Sequence, residues 1–69
     1  MFENEYFEYQ EHTFIKVDMC EWIVRGASKK LYYQFGTWGT IDRSKHFTDR
    51  YVTHDNFDAA ANAVIQSME

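Results

Sequence analysis

The chain has no proline, three glycines and a single cysteine, Cys20. One cysteine cannot close an intrachain disulfide, so a disulfide scaffold is excluded and the expected setting is a reducing one, intracellular and cytoplasmic. Cys20 itself, between Met19 and Glu21, reads as a small half-buried hydrophobe rather than a reactive thiol. No apolar run approaches the roughly 20 residues of a membrane helix, and no basic start leads into an apolar stretch. Neither a membrane partner nor export is therefore expected. With no Gly/Ser linker, repeat or low-complexity run, nothing marks an internal boundary, and residues 1–69 read as one small domain.

Short metal-ligand spacings are also missing. His12, His46, His54 and Cys20 lie far apart, so no metal site and no cofactor is expected. His46 with Asp49, or His54 with Asp55, comes nearest to an acid–base pair. No nucleophile, glycine-rich loop or second carboxylate accompanies either, so the sequence makes no case for an enzyme.

What is abundant is aromatic surface and unevenly placed charge. Six Phe, five Tyr and two Trp make up 19% of the chain. A core of this size cannot be expected to hold all of them, which points to a partner or a homodimer. The net charge of −4 hides an asymmetry. Residues 1–21 carry Glu3, Glu5, Glu8, Glu11, Asp18 and Glu21 against Lys16 alone. Residues 22–50 carry Arg25, Lys29, Lys30, Arg43, Lys45 and Arg50 against Asp42 and Asp49. The two zones either face each other across a sheet and neutralise, or each offers a docking surface.

The strongest periodic signal is near the C-terminus. Phe57, Ala60, Ala61, Val64, Ile65 and Met68 fall on one helical stripe, and Asn56, Asp58, Asn62, Gln66 and Ser67 fall off it. Thr53 is the expected N-cap, with Val52 and Phe57 as a hydrophobic staple and Asp55 as an alternative cap. Before the helix the pattern has period two. Ile15, Val17 and Met19 alternate with Lys16 and Asp18. The phase then flips to Cys20, Trp22 and Val24, as a bulge near Met19 and Cys20 would cause. After a turn at residues 26–29, Leu31, Tyr33, Phe35 and Ile41 share one parity, and Tyr32, Gln34, Trp38 and Thr40 the other. Residues 4–10 supply a third strand, although Phe2, Tyr6 and Tyr9 also have helical spacing. The expectation is an α+β fold: a three-stranded antiparallel sheet with the C-terminal helix across one face, β-β-β-α.

A helix over 19–35 competes with the hairpin. Asp18 and Glu21 have capping-box spacing, Met19, Ile23, Ala27, Leu31 and Phe35 recur every four residues, and Gly36 stands just beyond. Within it, Gly26-Ala27-Ser28-Lys29-Lys30-Leu31-Tyr32-Tyr33-Gln34-Phe35 resembles the recognition helix of TetR-type repressors. Two residues rather than three separate Ser28 from Leu31, which rotates every later side chain by about 100°. Gly26 in the interior and the dense Trp22, Ile23, Val24, Tyr32 and Tyr33 favour strands instead.

Two functional expectations follow from the charge. In the first, Glu3, Glu5, Glu8, Glu11, Asp18 and Glu21 imitate a phosphate ladder and occupy the basic groove of a nucleic-acid-binding protein, with Tyr6, Tyr9 and Trp22 as anchors. In size and surface character the whole chain resembles the small acidic inhibitors that phages direct at host defence, including anti-CRISPR and anti-restriction proteins. That resemblance rests on no motif and implies a DNA mimic acting by protein binding. In the second, Lys29, Lys30, Tyr32 and Trp38 form a base-stacking nucleic-acid surface, a reading that the net negative charge opposes.

Overall fold

The computed structural model describes residues 5–46 and 50–68. Six strands run in chain order: β1 (Tyr6–Tyr9), β2 (His12–Asp18), β3 (Glu21–Ile23), β4 (Lys29–Gln34), β5 (Thr37–Asp42) and β6 (Tyr51–Thr53). Helix α1 (Phe57–Gln66) follows. Every strand pairs antiparallel with its sequence neighbour, giving one six-stranded sheet in the order β1-β2-β3-β4-β5-β6. The fold is α+β, as expected, but the sheet has six strands rather than three.

Tight turns account for the difference. The run read as one strand through Ile15 and Trp22 folds back at Met19-Cys20, where the Asp18 carboxylate accepts from the Met19 amide at 2.7 Å. A bulge does exist, but earlier, between Lys16 and Asp18. The run from Leu31 to Ile41 folds back at Phe35-Gly36, both left-handed with φ of 53° and 74°. Gln10-Glu11 closes the first hairpin in the same way, with φ of 51° and 69°. Two left-handed residues match the right-handed twist of the strands they join, and glycine or asparagine adopts that conformation most cheaply. Only one of these four positions is glycine. The helix expected over 19–35 is absent, and the segment that resembles a TetR recognition helix forms the turn after Val24 and strand β4.

Residues directly opposite each other in register share a face. Phe7 with Phe14, Lys16 with Trp22, Trp22 with Leu31, Leu31 with Thr40 and Thr40 with Val52 line the side that α1 covers. The helix applies its expected stripe: Ala60, Ala61 and Val64 are buried, and Phe57, Ile65 and Met68 pack around them. Two alanines at the contact let the helix sit close to a sheet whose own side chains are large. Phe7 stacks on Phe14 at 4.9 Å, Phe57 meets Phe7, Tyr9 and Trp38, and Trp38 meets Trp22 and Tyr33. Much of the aromatic excess therefore forms one layer between sheet and helix.

The N-cap lies three residues later than the one expected from sequence. Thr53 lies in β6, and Asn56 is the N-cap, its side-chain oxygen Oδ1 accepting from the Ala59 amide at 2.8 Å. At the far end, Ser67 ties the helix to the β3–β4 connection. Its carbonyl accepts from the Ser28 amide and its hydroxyl oxygen from the Lys29 amide, while the hydroxyl donates to Val64. Met68 bridges to Ala27. No helix of the described residues is long and apolar enough to cross a membrane.

Candidate interaction surface

The acidic residues are dispersed. Glu5 lies 3.5 Å from Lys16, and Glu21 lies 2.9 Å from Lys30 across β3 and β4. Asp18 is held by the turn it closes, and Glu8 and Glu11 are exposed at β1 and at the β1–β2 turn. Glu3 lies outside the described residues. The anchors divide as well. Tyr6 is 63% exposed, Tyr9 donates its hydroxyl to Asp58 of α1 at 3.0 Å, and Trp22 lies in the aromatic layer with the Lys16 ammonium 5.8 Å from its ring centre. Burial first, and then the Asp58 carboxylate, raise the ionisation of Tyr9 above its ordinary value. These positions form no continuous row of free carboxylates. Of the two ion pairs, only Glu21 with Lys30 joins the acidic zone to the basic one, since Lys16 lies in the acidic zone itself.

The basic and aromatic set is split between the two sides of the sheet. Tyr32 pairs with Gly39 and Tyr33 with Trp38, so Tyr32 and Trp38 point in opposite directions. The Phe35-Gly36 turn reverses the parity that a single long strand would have kept. Tyr32 is 7% exposed, lies against Tyr51 at 5.8 Å and crosses over Gly39. Burial, and after it Tyr51, push its ionisation upward. Lys30 is engaged with Glu21, and Lys29, next to it in the strand and opposite Asp42, points to the other side of the sheet. No stacking platform joins Lys29, Lys30, Tyr32 and Trp38.

What the sequence reading did not single out is the end of the sheet where two hairpin tips meet. The Cys20 carbonyl accepts from the Tyr33 amide at 3.0 Å, which brings the β2–β3 tip against the β4–β5 hairpin. There Phe35 is 94% exposed and Met19 78% exposed, with Val17 and Tyr33 also open to solvent. Phe35 occupies its left-handed position with a bulky side chain, a conformation that costs roughly 1 kcal/mol relative to glycine or asparagine. A large apolar side chain both strained and wholly in water is a feature that folding does not require. The cue in the sequence was Phe-Gly where a hairpin turn favours Asn-Gly.

At the opposite end, Glu11, His12, Thr13, Ile15, Val24, Arg25 and Met68 line an open cleft of about 380 Å³. It contains no hydroxyl or thiol paired with a base. Among the described residues no three of His, Cys, Asp and Glu converge as metal ligands. Beside the cleft, Arg43 donates to the Ala27 carbonyl at 2.8 Å, and Asp42 accepts from the hydroxyl and amide of Ser44. Those two hydrogen bonds, aided by Lys29 and Lys45 against the opposing effect of burial, hold the Asp42 carboxyl below its ordinary value of 3.8. No protein family, characterised protein or solved structure matches the chain.

Proposed function

We propose that this is a cytoplasmic, non-enzymatic protein-binding module that engages its partner through the paired hairpin tips, with Phe35 and Met19 as anchors. The observation that carries this reading is Phe35 itself, 94% exposed at φ 53°. Anchors of interfaces are large, rigid and apolar, and tips carried by a paired sheet present them with little entropy left to lose. Asp18 beside Met19 and the net charge of −4 favour a partner whose surface is basic, such as the groove of a nucleic-acid-binding protein. In that setting the module acts as an inhibitor by occupancy, and the acids supply complementarity around the anchors rather than a phosphate ladder.

The test is Phe35→Asn. Asparagine accepts the left-handed conformation, so the variant should be at least as stable as the wild type by thermal melting. It should also lose capture of a basic nucleic-acid-handling protein that the wild type retains. Retention of that partner by the variant rejects the tips as the site. Direct binding of labelled DNA or RNA at about 50 mM salt, fading as salt rises, rejects protein binding as the activity.

A further inference from the structure

The cleft at the end of the sheet away from Phe35 is built by two turns, and each turn presents one charge to it. Gln10-Glu11 joins β1 to β2, and Glu11 stands there at a φ of 69°, a left-handed position that glycine or asparagine fills more cheaply. The second turn covers residues 24–27. The Ala27 amide donates to the Val24 carbonyl at 3.0 Å and Gly26 has a φ of 90°, so Arg25 occupies the leading corner of a type II turn. Glu11 and Arg25 are both exposed and both line the cleft. Among the described residues neither side chain has a hydrogen bond or an ion pair, and the two do not pair with each other. The floor between them is apolar: Val24 is buried, Ile15 and Met68 are half-buried, and the Met68 methyl reaches the backbone of Gly26, where a Cβ would stand 3.8 Å from it. Thr13 adds an exposed hydroxyl at the rim.

From this arrangement we infer that the cleft binds a small zwitterion with an apolar body, namely a free apolar amino acid or a dipeptide of such residues. The ligand's ammonium pairs with the Glu11 carboxylate, its carboxylate takes the Arg25 guanidinium, and its side chains lie on Ile15, Val24 and Met68. A simple anion would meet repulsion from Glu11, and a simple cation would meet it from Arg25. Only a ligand that carries both signs finds complementary charge at each end.

The volume of about 380 Å³ lies at the low end of the roughly 300–1,000 Å³ of ligand pockets, which suits one or two residues and not a longer peptide. Because the cleft is open, part of the ligand stays in water, and dissociation constants of about 0.1–1 mM are expected. The site is at the other end of the sheet from the Phe35 and Met19 tips, so zwitterion binding and partner binding stand or fall separately.

Titration of the isotope-labelled full chain with leucyl-leucine to about 10 mM, read by amide chemical shifts, tests the inference across the affinities expected. The expected result is saturable shifts centred on Glu11, Thr13, Arg25 and Met68 that Phe35→Asn leaves unchanged. Glu11→Gln and Arg25→Gln, both at exposed positions, should each weaken binding about two- to fivefold, the range of an exposed ion pair, without lowering the melting temperature. Blocking the ligand assigns the ends. The N-acetylated dipeptide should bind the wild type more weakly than the free one but bind Glu11→Gln equally well, and the amidated dipeptide should do the same with Arg25→Gln. No saturable shift by about 10 mM overturns the inference. So does equal binding of the free, acetylated and amidated peptides, because apolar contact alone then carries it. A preference for the free dipeptide that survives both glutamine variants overturns it too, because other residues then read the charges.

Discussion

Single residues are decisive in this chain where a side chain meets backbone. Gly39 is the clearest case: a Cβ there would stand 2.6 Å from Tyr32 and 2.6 Å from the Val52 carbonyl. The Tyr32 contact is with the far end of a side chain, but Val52 is paired backbone in β6 and cannot retreat without opening the β5–β6 ladder. Gly39→Ala should therefore cost about 1–3 kcal/mol in urea unfolding, and replacing Tyr32 by a smaller residue should not restore it. Asp42 acts through charge instead. Its folded-state value is depressed by Ser44, so its contribution is fully present above the unfolded value of 3.8 and is lost as pH falls through the lower folded value. Wild type and Asp42→Asn should differ in melting temperature at neutral pH and converge as pH falls below the unfolded value of 3.8 and through the lower folded one.

At the scale of elements, the helix shows what sequence can and cannot carry. Its stripe from Phe57 to Met68 was plain because six apolar positions repeat over three turns, whereas its start depended on which of several polar residues turned its side chain inward. Asn56 does so, and Thr53 is committed to β6. Asn56→Ala should lower stability by about 1 kcal/mol, and Thr53→Ala should change it by less than about 0.5, as read by denaturant midpoint at constant slope. The strands were less legible for a related reason. Period two survives within a strand, but a two-residue turn reverses which parity faces the core, and Gln10-Glu11 and Met19-Cys20 contain no glycine, asparagine or proline to announce themselves. Strand β6, three residues long, is too short to display any period. The same reversals explain why Trp22 and Trp38 looked available for a partner: their destination in the aromatic layer depends on turns that the composition conceals. Phe35 was visible as a residue and not as a tip.

For the molecule as a whole, Glu21 reaches from the acidic zone to Lys30 in the basic one, while Glu8 and Glu11 stay exposed. The surface is consequently defined more by where apolar side chains remain uncovered than by a field of one sign. The topology carries a further consequence, in time rather than in space. Since each strand pairs only with its neighbour along the chain, the sheet can zip through successive hairpins with small loop-closure entropy, and assembly is fast for a β-rich domain. The helix packs across β4 and β5, with β6 between them in sequence, and its docking closes the core. Until it docks, Phe14, Trp22, Leu31 and Trp38 face water together, so the interval between sheet closure and helix arrival is when this chain is most exposed to aggregation.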